Sequence, residues 1–109
     1  MDAISSPELN IVLHQPVRTR IVAYLAARGE STFNELKQAL DITDGNLDSH
    51  MKKLIGASYI ETKKQPVKKG KQQTLYSLTE DGSREFENYI ETLKCLLSPQ
   101  FKNISPVDG

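Results

Sequence analysis

Apolar and polar residues alternate with a helical period in four stretches of the chain, so the pattern predicts four amphipathic helices. The first of them, PVRTRIVAYLAAR, begins at Pro16 and ends at Gly29, a residue typical of helix ends. Upstream of it, Ser6 and Pro7 have the order of a capping residue and a first helical residue, which predicts a short helix reaching about His14.

Threonines mark the starts of the other three helices because a side-chain oxygen can accept a hydrogen bond from the first turn. Thr32 precedes FNELKQAL, Thr43 precedes DGNLDSHMKKLIGA, and Thr79 precedes a last helix that we expect to end near Leu97. The apolar positions that define the four stripes are Val17, Ile21, Tyr24, Leu25, Phe33, Leu36, Leu40, Leu47, Met51, Leu54, Ile55, Phe86, Tyr89, Ile90, Leu93, Leu96 and Leu97.

Between the third and fourth helices the sequence favours strands instead. Residues 59–63 and 74–78 are rich in β-branched and aromatic side chains, which predicts two short strands. Pro66 and Gly70 lie between them and disfavour regular structure. We therefore expect a hairpin with a long, lysine-rich loop.

The charges of the 109-residue chain sum to zero but are unevenly distributed. Residues 49–78 hold seven lysines and one acid, Glu61, whereas the segments before and after each carry a net charge of −3. A local positive surface attracts a polyanion even when the overall charge is zero. Most charge runs are solvated loops, so the lysines alone do not decide the function.

Composition limits the classes to which the protein can belong. Its 38% hydrophobic and 26% charged residues fit one small soluble domain. The longest apolar run, residues 21–27, is far shorter than the ~20 residues that span a bilayer, and no secretion signal opens the chain. The single cysteine, Cys95, fits a reducing cytoplasm. His14, His50 and Cys95 are widely separated, so we predict no metal site, no cofactor and no enzymatic activity.

The third predicted helix has an outer stripe suited to DNA. Asn46, Ser49, His50 and Lys53 follow the spacing i, i+3, i+4, i+7, and no acid interrupts them. Asparagine can pair with adenine and lysine with guanine in the major groove, which admits one helix. A second helix joined to it by a short turn, here at residues 41–42, is typical of a helix-turn-helix.

Four segments together resemble winged-helix transcriptional regulators of the MarR/ArsR kind. HQPVRTRIVAYLA resembles their opening helix, and STFNELKQALDITDG the first helix and turn of their helix-turn-helix. NLDSHMKKLIGASYIE resembles their recognition helix, and KKGKQQTLYSLTEDG their wing and its exit.

The resemblance implies an α+β, mostly helical fold: a winged helix-turn-helix with a two- or three-stranded antiparallel wing and a C-terminal dimerisation helix. Residues 1–97 would form the domain, with its terminal helices for dimerisation, and residues 98–109 a loosely ordered tail. It further implies a homodimer that binds double-stranded DNA, usually as a repressor. Its recognition helix, residues 43–56, would enter the major groove, and its wing, residues 63–73, would contact the backbone or minor groove.

These implications assign roles to particular residues. The recognition helix would use Thr43, Asn46, Ser49, His50 and Lys53, and the wing Lys63, Lys64, Lys68, Lys69, Gly70 and Lys71. The dimer interface would use Leu9, Val12, Leu13, Tyr89, Leu93, Leu96 and Leu97. No effector can be named.

Two questions stay open at this point, one about the end of the third helix and one about function. Where related proteins have glycine after the recognition helix, this chain has Ser58, so either Ser58 adopts the left-handed conformation or Gly56 ends the helix earlier. The second question concerns function. The fold could also serve as a protein-interaction module whose lysines contact an acidic partner.

Overall fold

The computed structural model of the chain describes residues 8–104, with side chains described for residues 8–98. Three helices come first, a two-stranded antiparallel sheet follows, and a long helix ends the described chain, which is the predicted winged-helix order. The elements are α1 (Pro16–Arg28), α2 (Phe33–Leu40), α3 (Asp44–Gly56), β1 (Ile60–Lys68), β2 (Lys71–Leu78) and α4 (Glu80–Ile104).

The core lies between the first three helices and is closed by the start of β1 and by α4. Burial of its apolar side chains supplies most of the favourable free energy of folding. Ile55 departs from the predicted stripe and is 40% exposed, because it follows Leu54 on the helix and points about 100° away from it. The clustered core residues are Leu13, Ile21, Val22, Leu25, Leu36, Leu40, Leu47, Met51, Leu54, Ile60 and Tyr89.

Side-chain caps hold the helix-turn-helix in place, as the sequence predicted. The hydroxyl of Thr32 accepts from the backbone N–H of Glu35, and the Glu35 carboxylate accepts from the N–H of Thr32 at 2.9 Å. That backbone hydrogen bond lowers the pKa of Glu35. Thr43 caps α3 by accepting from the N–H of Asn46 at 3.2 Å. The two helices of the motif therefore begin where the threonines stand.

The segment before α1 is a turn rather than the predicted short helix. The start predicted at Ser6 and Pro7 lies outside the described residues, and residues 11–13 form a turn. The side-chain oxygen of Asn10 accepts from the N–H groups of Val12 and Leu13, at 2.9 and 3.0 Å. An asparagine that bonds to nearby backbone in this way competes with helix formation.

The wing is a longer ribbon than predicted, with a shorter loop. Its strands pair from Ile60↔Leu78 to Lys68↔Lys71, leaving only residues 69 and 70 between them. Pro66 lies within β1 because both strands of a two-stranded sheet are edges, where a missing N–H is tolerated. Gly70 turns the chain with a left-handed φ of 70°. The lysines assigned to a loop therefore lie mostly on paired strands.

The last helix is also longer than predicted. It continues to Ile104, so residues 98–104 are helical rather than a loosely ordered tail, and the rest of that predicted tail lies outside the described residues. Pro99 favoured an earlier end, because a proline removes a backbone donor and its ring crowds the preceding turn, yet the helix continues past it. No helix within residues 8–104 is long and apolar enough to span a membrane.

Candidate nucleic-acid interface

The structure places the predicted recognition residues together on the outer side of α3. Leu47, Met51 and Leu54 anchor the inner side of the helix in the core. This anchoring fixes the orientation of the outer side without using any of its polar groups. Four of the outer residues are exposed and His50 is half-buried; the five are Thr43, Asn46, Ser49, His50 and Lys53.

The two acids on α3 are neutralised by neighbouring lysines. Asp48 accepts from Lys52 at 3.1 Å, one helical turn away, and Asp44 accepts from Lys37 of α2 at 2.9 Å. Within residues 8–98, Lys53 forms no ion pair. A phosphate approaching the outer side of α3 therefore meets Lys53 without an acidic partner, and the exposed ion pairs of Asp44 and Asp48 reduce the repulsion from these two acids.

His50 lies at the boundary between this outer side and the core. Its pKa is lowered from the ordinary 6.5, first by desolvation and then by the positive charge of Arg18 on α1. The Nε of Arg18 is buried and has no hydrogen-bond partner in the described part of the chain. In the sequence Arg18 was only part of a motif, and nothing there indicated that it lies beside α3.

The wing lysines divide into two groups. Lys63 pairs with Glu30 at 3.6 Å, and Lys64 donates to the hydroxyl of Thr74 at 2.9 Å, so both are engaged near the base of the ribbon. The tip lysines are exposed and form no ion pairs with other described residues. They are Lys68, Lys69 and Lys71, which flank Gly70 at the turn.

The base of the wing is joined to the helix-turn-helix by backbone hydrogen bonds. The N–H of Ser31 donates to the carbonyl of Tyr76 at 3.0 Å, and the N–H of Tyr76 donates to the carbonyl of Ser31 at 2.8 Å. Ser31 comes just before α2, so the ribbon and the helix pair are held as one unit. The predicted choice between two and three strands is thus resolved as two strands with one isolated bridge.

The junction between α3 and the wing depends on Ser58. This residue has a φ of 66°, so Ser58 adopts the left-handed conformation, which is one of the two helix ends that the sequence left open. Its N–H donates to the carbonyl of Ile55 at 2.9 Å, and the N–H of Tyr59 donates to that of Leu54 at 3.0 Å. These bonds satisfy the last carbonyls of α3, which is how helices with a left-handed end close.

The residues assigned to the dimer interface fall into different environments. Leu13 and Tyr89 are buried within the single chain, so its own core accounts for both. Leu97 is 50% exposed, and Leu96 is half-buried outside the core cluster. Leu9, Val12 and Leu93 are partly buried against the core.

A groove of about 840 Å³ separates the segment before α1 from α4. Tyr59, Glu85 and Tyr89 line it together with Asn10, whose side-chain amide donates to the Tyr59 hydroxyl at 2.9 Å. Ile11 on its rim is 84% exposed. No group of His, Cys, Asp and Glu residues suited to a metal ion occurs among the described residues.

Comparison with known proteins gives consistent matches. Residues 17–97 match the family described as winged helix DNA-binding domain. An uncharacterized protein of Methanocaldococcus jannaschii is 40% identical over 79 residues, which cover 72% of this chain and 85% of that protein.

Two solved structures extend the comparison. The transcriptional regulator homologue protein from Pyrococcus horikoshii OT3 has a TM-score of 0.75 and 30% identity, and the match covers 84% of this chain and 89% of that one. The transcriptional repressor BigR from Xylella fastidiosa has a TM-score of 0.61 and 29% identity, with 80% of each chain covered.

Proposed function

Because the chain belongs to the winged helix DNA-binding domain family, we propose that it acts as a homodimeric repressor bound to double-stranded DNA. Membership and structural neighbours make it a DNA-binding transcriptional regulator of the MarR/ArsR kind, as the sequence resemblance predicted. The family consists of regulators rather than enzymes. The dimer, the repression and the individual DNA contacts are the parts that we propose.

The outer side of α3 carries the proposal. It presents Asn46, Ser49 and Lys53 to solvent, and its acids are paired with lysines. These side chains offer the donors and acceptors that read base edges in a major groove. A helix that used this side for a protein partner would be expected to show apolar residues there, because interface centres are enriched in aromatic and apolar side chains.

The wing supplies the contacts that do not depend on sequence. Lys68, Lys69 and Lys71 lie at the end of a ribbon whose base is fixed to the helix-turn-helix, so they can approach a phosphate backbone together. Lysine acts as a point charge and lacks the planar fork of arginine, which favours phosphate contacts over base readout. Lys63 contributes less, because Glu30 already pairs with it.

The dimer is proposed through the apolar side of α4. Leu96 and Leu97 lie beyond the part of the helix that packs on the core, and the ion pair of Lys94 with Glu91 lies beside them. A second copy would cover Leu97 and the groove beside Ile11. Two recognition helices would then lie about 34 Å apart, one turn of DNA, on a pseudo-palindromic site.

The proposed repression requires only that the protein occupies its DNA site and does not require catalysis. A dimer occupying a promoter excludes other proteins from it, and the solved neighbour BigR is named as a transcriptional repressor. The compared proteins come from archaea and bacteria, whose duplex DNA lies in the cytoplasm, so we expect the protein to work there.

Selection of bound sequences from random duplexes tests the proposed function. We expect an inverted repeat with half-sites about 10 bp apart. Asn46→Ala should relax the preference at one position in each half-site, whereas replacing Glu87, an exposed residue of α4, by Ala should leave the selected sequence unchanged. Recovery of unrelated sequences by the wild-type protein would contradict sequence-specific binding.

Leu97→Glu tests the dimer separately. The side chain is exposed in the single chain, so the change should leave the fold intact and weaken self-association by about tenfold or more. Ser83→Glu adds the same charge at an exposed position near the start of α4 and should leave self-association unchanged. Sedimentation equilibrium measures both. A wild-type protein that stays monomeric at all concentrations would contradict the proposed dimer.

A further inference from the structure

Val67 is an extra residue in the wing. Between Pro66↔Gln72 and Lys68↔Lys71 the pairing advances two residues on β1 but only one on β2. Val67 is therefore left without a partner at a bulge. Bulges bend a strand and redirect the side chain of the extra residue.

The side chain of Val67 is 51% exposed. Valine is usually buried, although isolated exposed apolar residues also occur on soluble proteins without a role. Two features limit its freedom here. Pro66 fixes the backbone before it, and branching at Cβ restricts the first side-chain torsion. Val67 is thus a short, stiff apolar projection near the tip of the ribbon.

The surroundings of Val67 are cationic. Lys68 follows it directly, Lys69 and Lys71 complete the turn, and no acid occurs between residues 61 and 80. An apolar projection with a cationic border fits a surface that has apolar walls between two lines of negative charge. The minor groove of DNA has this character, because deoxyribose walls separate two phosphate backbones about 6 Å apart at the rims.

We propose that Val67 enters the minor groove of the bound DNA and packs against deoxyribose, while the tip lysines contact the phosphates on either side. This assignment rests on the proposed function and adds a contact to it. The lysine contacts release counterions and depend on salt. The Val67 contact removes apolar surface from water, and its contribution does not depend on the release of counterions. The two contributions can therefore be measured separately.

Val67→Thr is the direct test, because threonine keeps the shape and the branching of valine but replaces a methyl group by a hydroxyl. Binding of the selected DNA is measured by fluorescence anisotropy at several salt concentrations. We expect Val67→Thr to weaken binding three- to tenfold at every salt concentration, with the salt slope unchanged. Lys69→Ala, the matched control, should reduce the slope by about 0.9.

Base-pair changes under the wing distinguish the minor groove from other surfaces. Replacing an A·T pair there by G·C places an amino group in the minor groove, whereas inosine·C does not. We expect the change to G·C to weaken DNA binding by the wild-type protein more than it weakens binding by the Val67→Thr protein. DNA with inosine·C should bind like DNA with A·T.

Equal affinity of the wild-type and Val67→Thr proteins would overturn the proposal, and so would a changed salt slope for Val67→Thr. Both results leave the proposed DNA binding standing, because the wild-type titration reports it independently. Absence of wild-type binding would overturn both the Val67 contact and the proposed DNA binding.

Discussion

Gly82, in the first turn of α4, lies directly against the backbone of Tyr59, the residue that joins α3 to the wing. A Cβ placed on Gly82 would overlap the carbonyl oxygen of Tyr59. Thr79 strengthens the contact: its hydroxyl donates to the carbonyl of Ser58 at 2.7 Å, and its N–H donates to that of Tyr59 at 3.0 Å. The proposed dimerisation helix is thereby fixed to the end of the proposed recognition helix, so the distance between two recognition helices in a dimer depends on this junction.

Replacing Gly82 by alanine should separate α4 from the junction. We expect the free energy of unfolding to fall by about 1–3 kcal/mol, because the neighbour is backbone and cannot move aside cheaply. Chemical denaturation measures the change. Gly45→Ala is the matched control, since a Cβ there meets nothing within 4 Å and alanine favours helix over glycine. A Gly82→Ala protein as stable as the wild type would contradict the close packing.

Ser58→Gly should stabilise the protein. The left-handed conformation is costly for a residue with a Cβ, and the Ser58 side chain is exposed, so glycine loses little there. We expect a gain of about 0.5–1 kcal/mol in the free energy of unfolding.

Gly29→Ala makes the reverse change at another helix end, where φ is 91°, and should destabilise the protein. Thermal unfolding of the two variants side by side tests both signs. A loss of stability for Ser58→Gly would show that the serine contributes more than its conformation costs.

DNA binding should strengthen as the pH falls, through His50. In the free protein desolvation and Arg18 hold its pKa below 6.5. Phosphates placed beside the ring would raise that pKa, so the complex would bind more protons than the free protein. Affinity should therefore rise as the pH drops from about 7.5 through the pKa of the bound state, by up to about tenfold for each unit by which the pKa rises.

His50→Gln should remove this pH dependence. His14→Gln should keep it, because the ring of His14 is hydrogen-bonded at 2.9 Å to the hydroxyl of Tyr89, a residue of α4 rather than of α3. Affinity is measured between pH 5.5 and 7.5 at constant salt. Equal pH profiles for the wild-type and His50→Gln proteins would exclude His50 from the DNA contact.

The elements whose signals are local could be predicted from the sequence. Thr32, Thr43 and Thr79 start their helices where predicted, because a cap depends on residues within one turn. The outer side of α3 follows from periodicity alone. The resemblance identified the family, since it required four segments in one order rather than any single motif.

The parts that depend on contacts between distant residues could not be predicted. The neighbourhood of Arg18 and His50 joins two helices, and nothing local indicates it. The wing was misjudged because Pro66 and Gly70 ordinarily interrupt strands, whereas an edge strand tolerates the first and a tight turn uses the second. Gly82 was recognised as part of a motif, but the reason for it appeared only with the backbone of Tyr59 beside it.

Salt-dependent binding of duplex DNA tests the central claim most directly. Fluorescence anisotropy of a labelled random duplex, titrated at several salt concentrations, compares the wild type with the triple variant Lys68→Ala, Lys69→Ala, Lys71→Ala. The variant Arg84→Ala removes a cation from the start of α4, where it is paired with Asp81, and serves as the control.

We expect micromolar wild-type binding that weakens steeply with salt. The triple variant should bind more weakly, with a salt slope smaller by about 0.9 for each phosphate that the wing no longer neutralises, and the control should match the wild type. Equal slopes for the wild type and the triple variant would remove the wing from the mechanism. No wild-type binding at low salt would contradict the account and favour an acidic protein as the partner of the lysines.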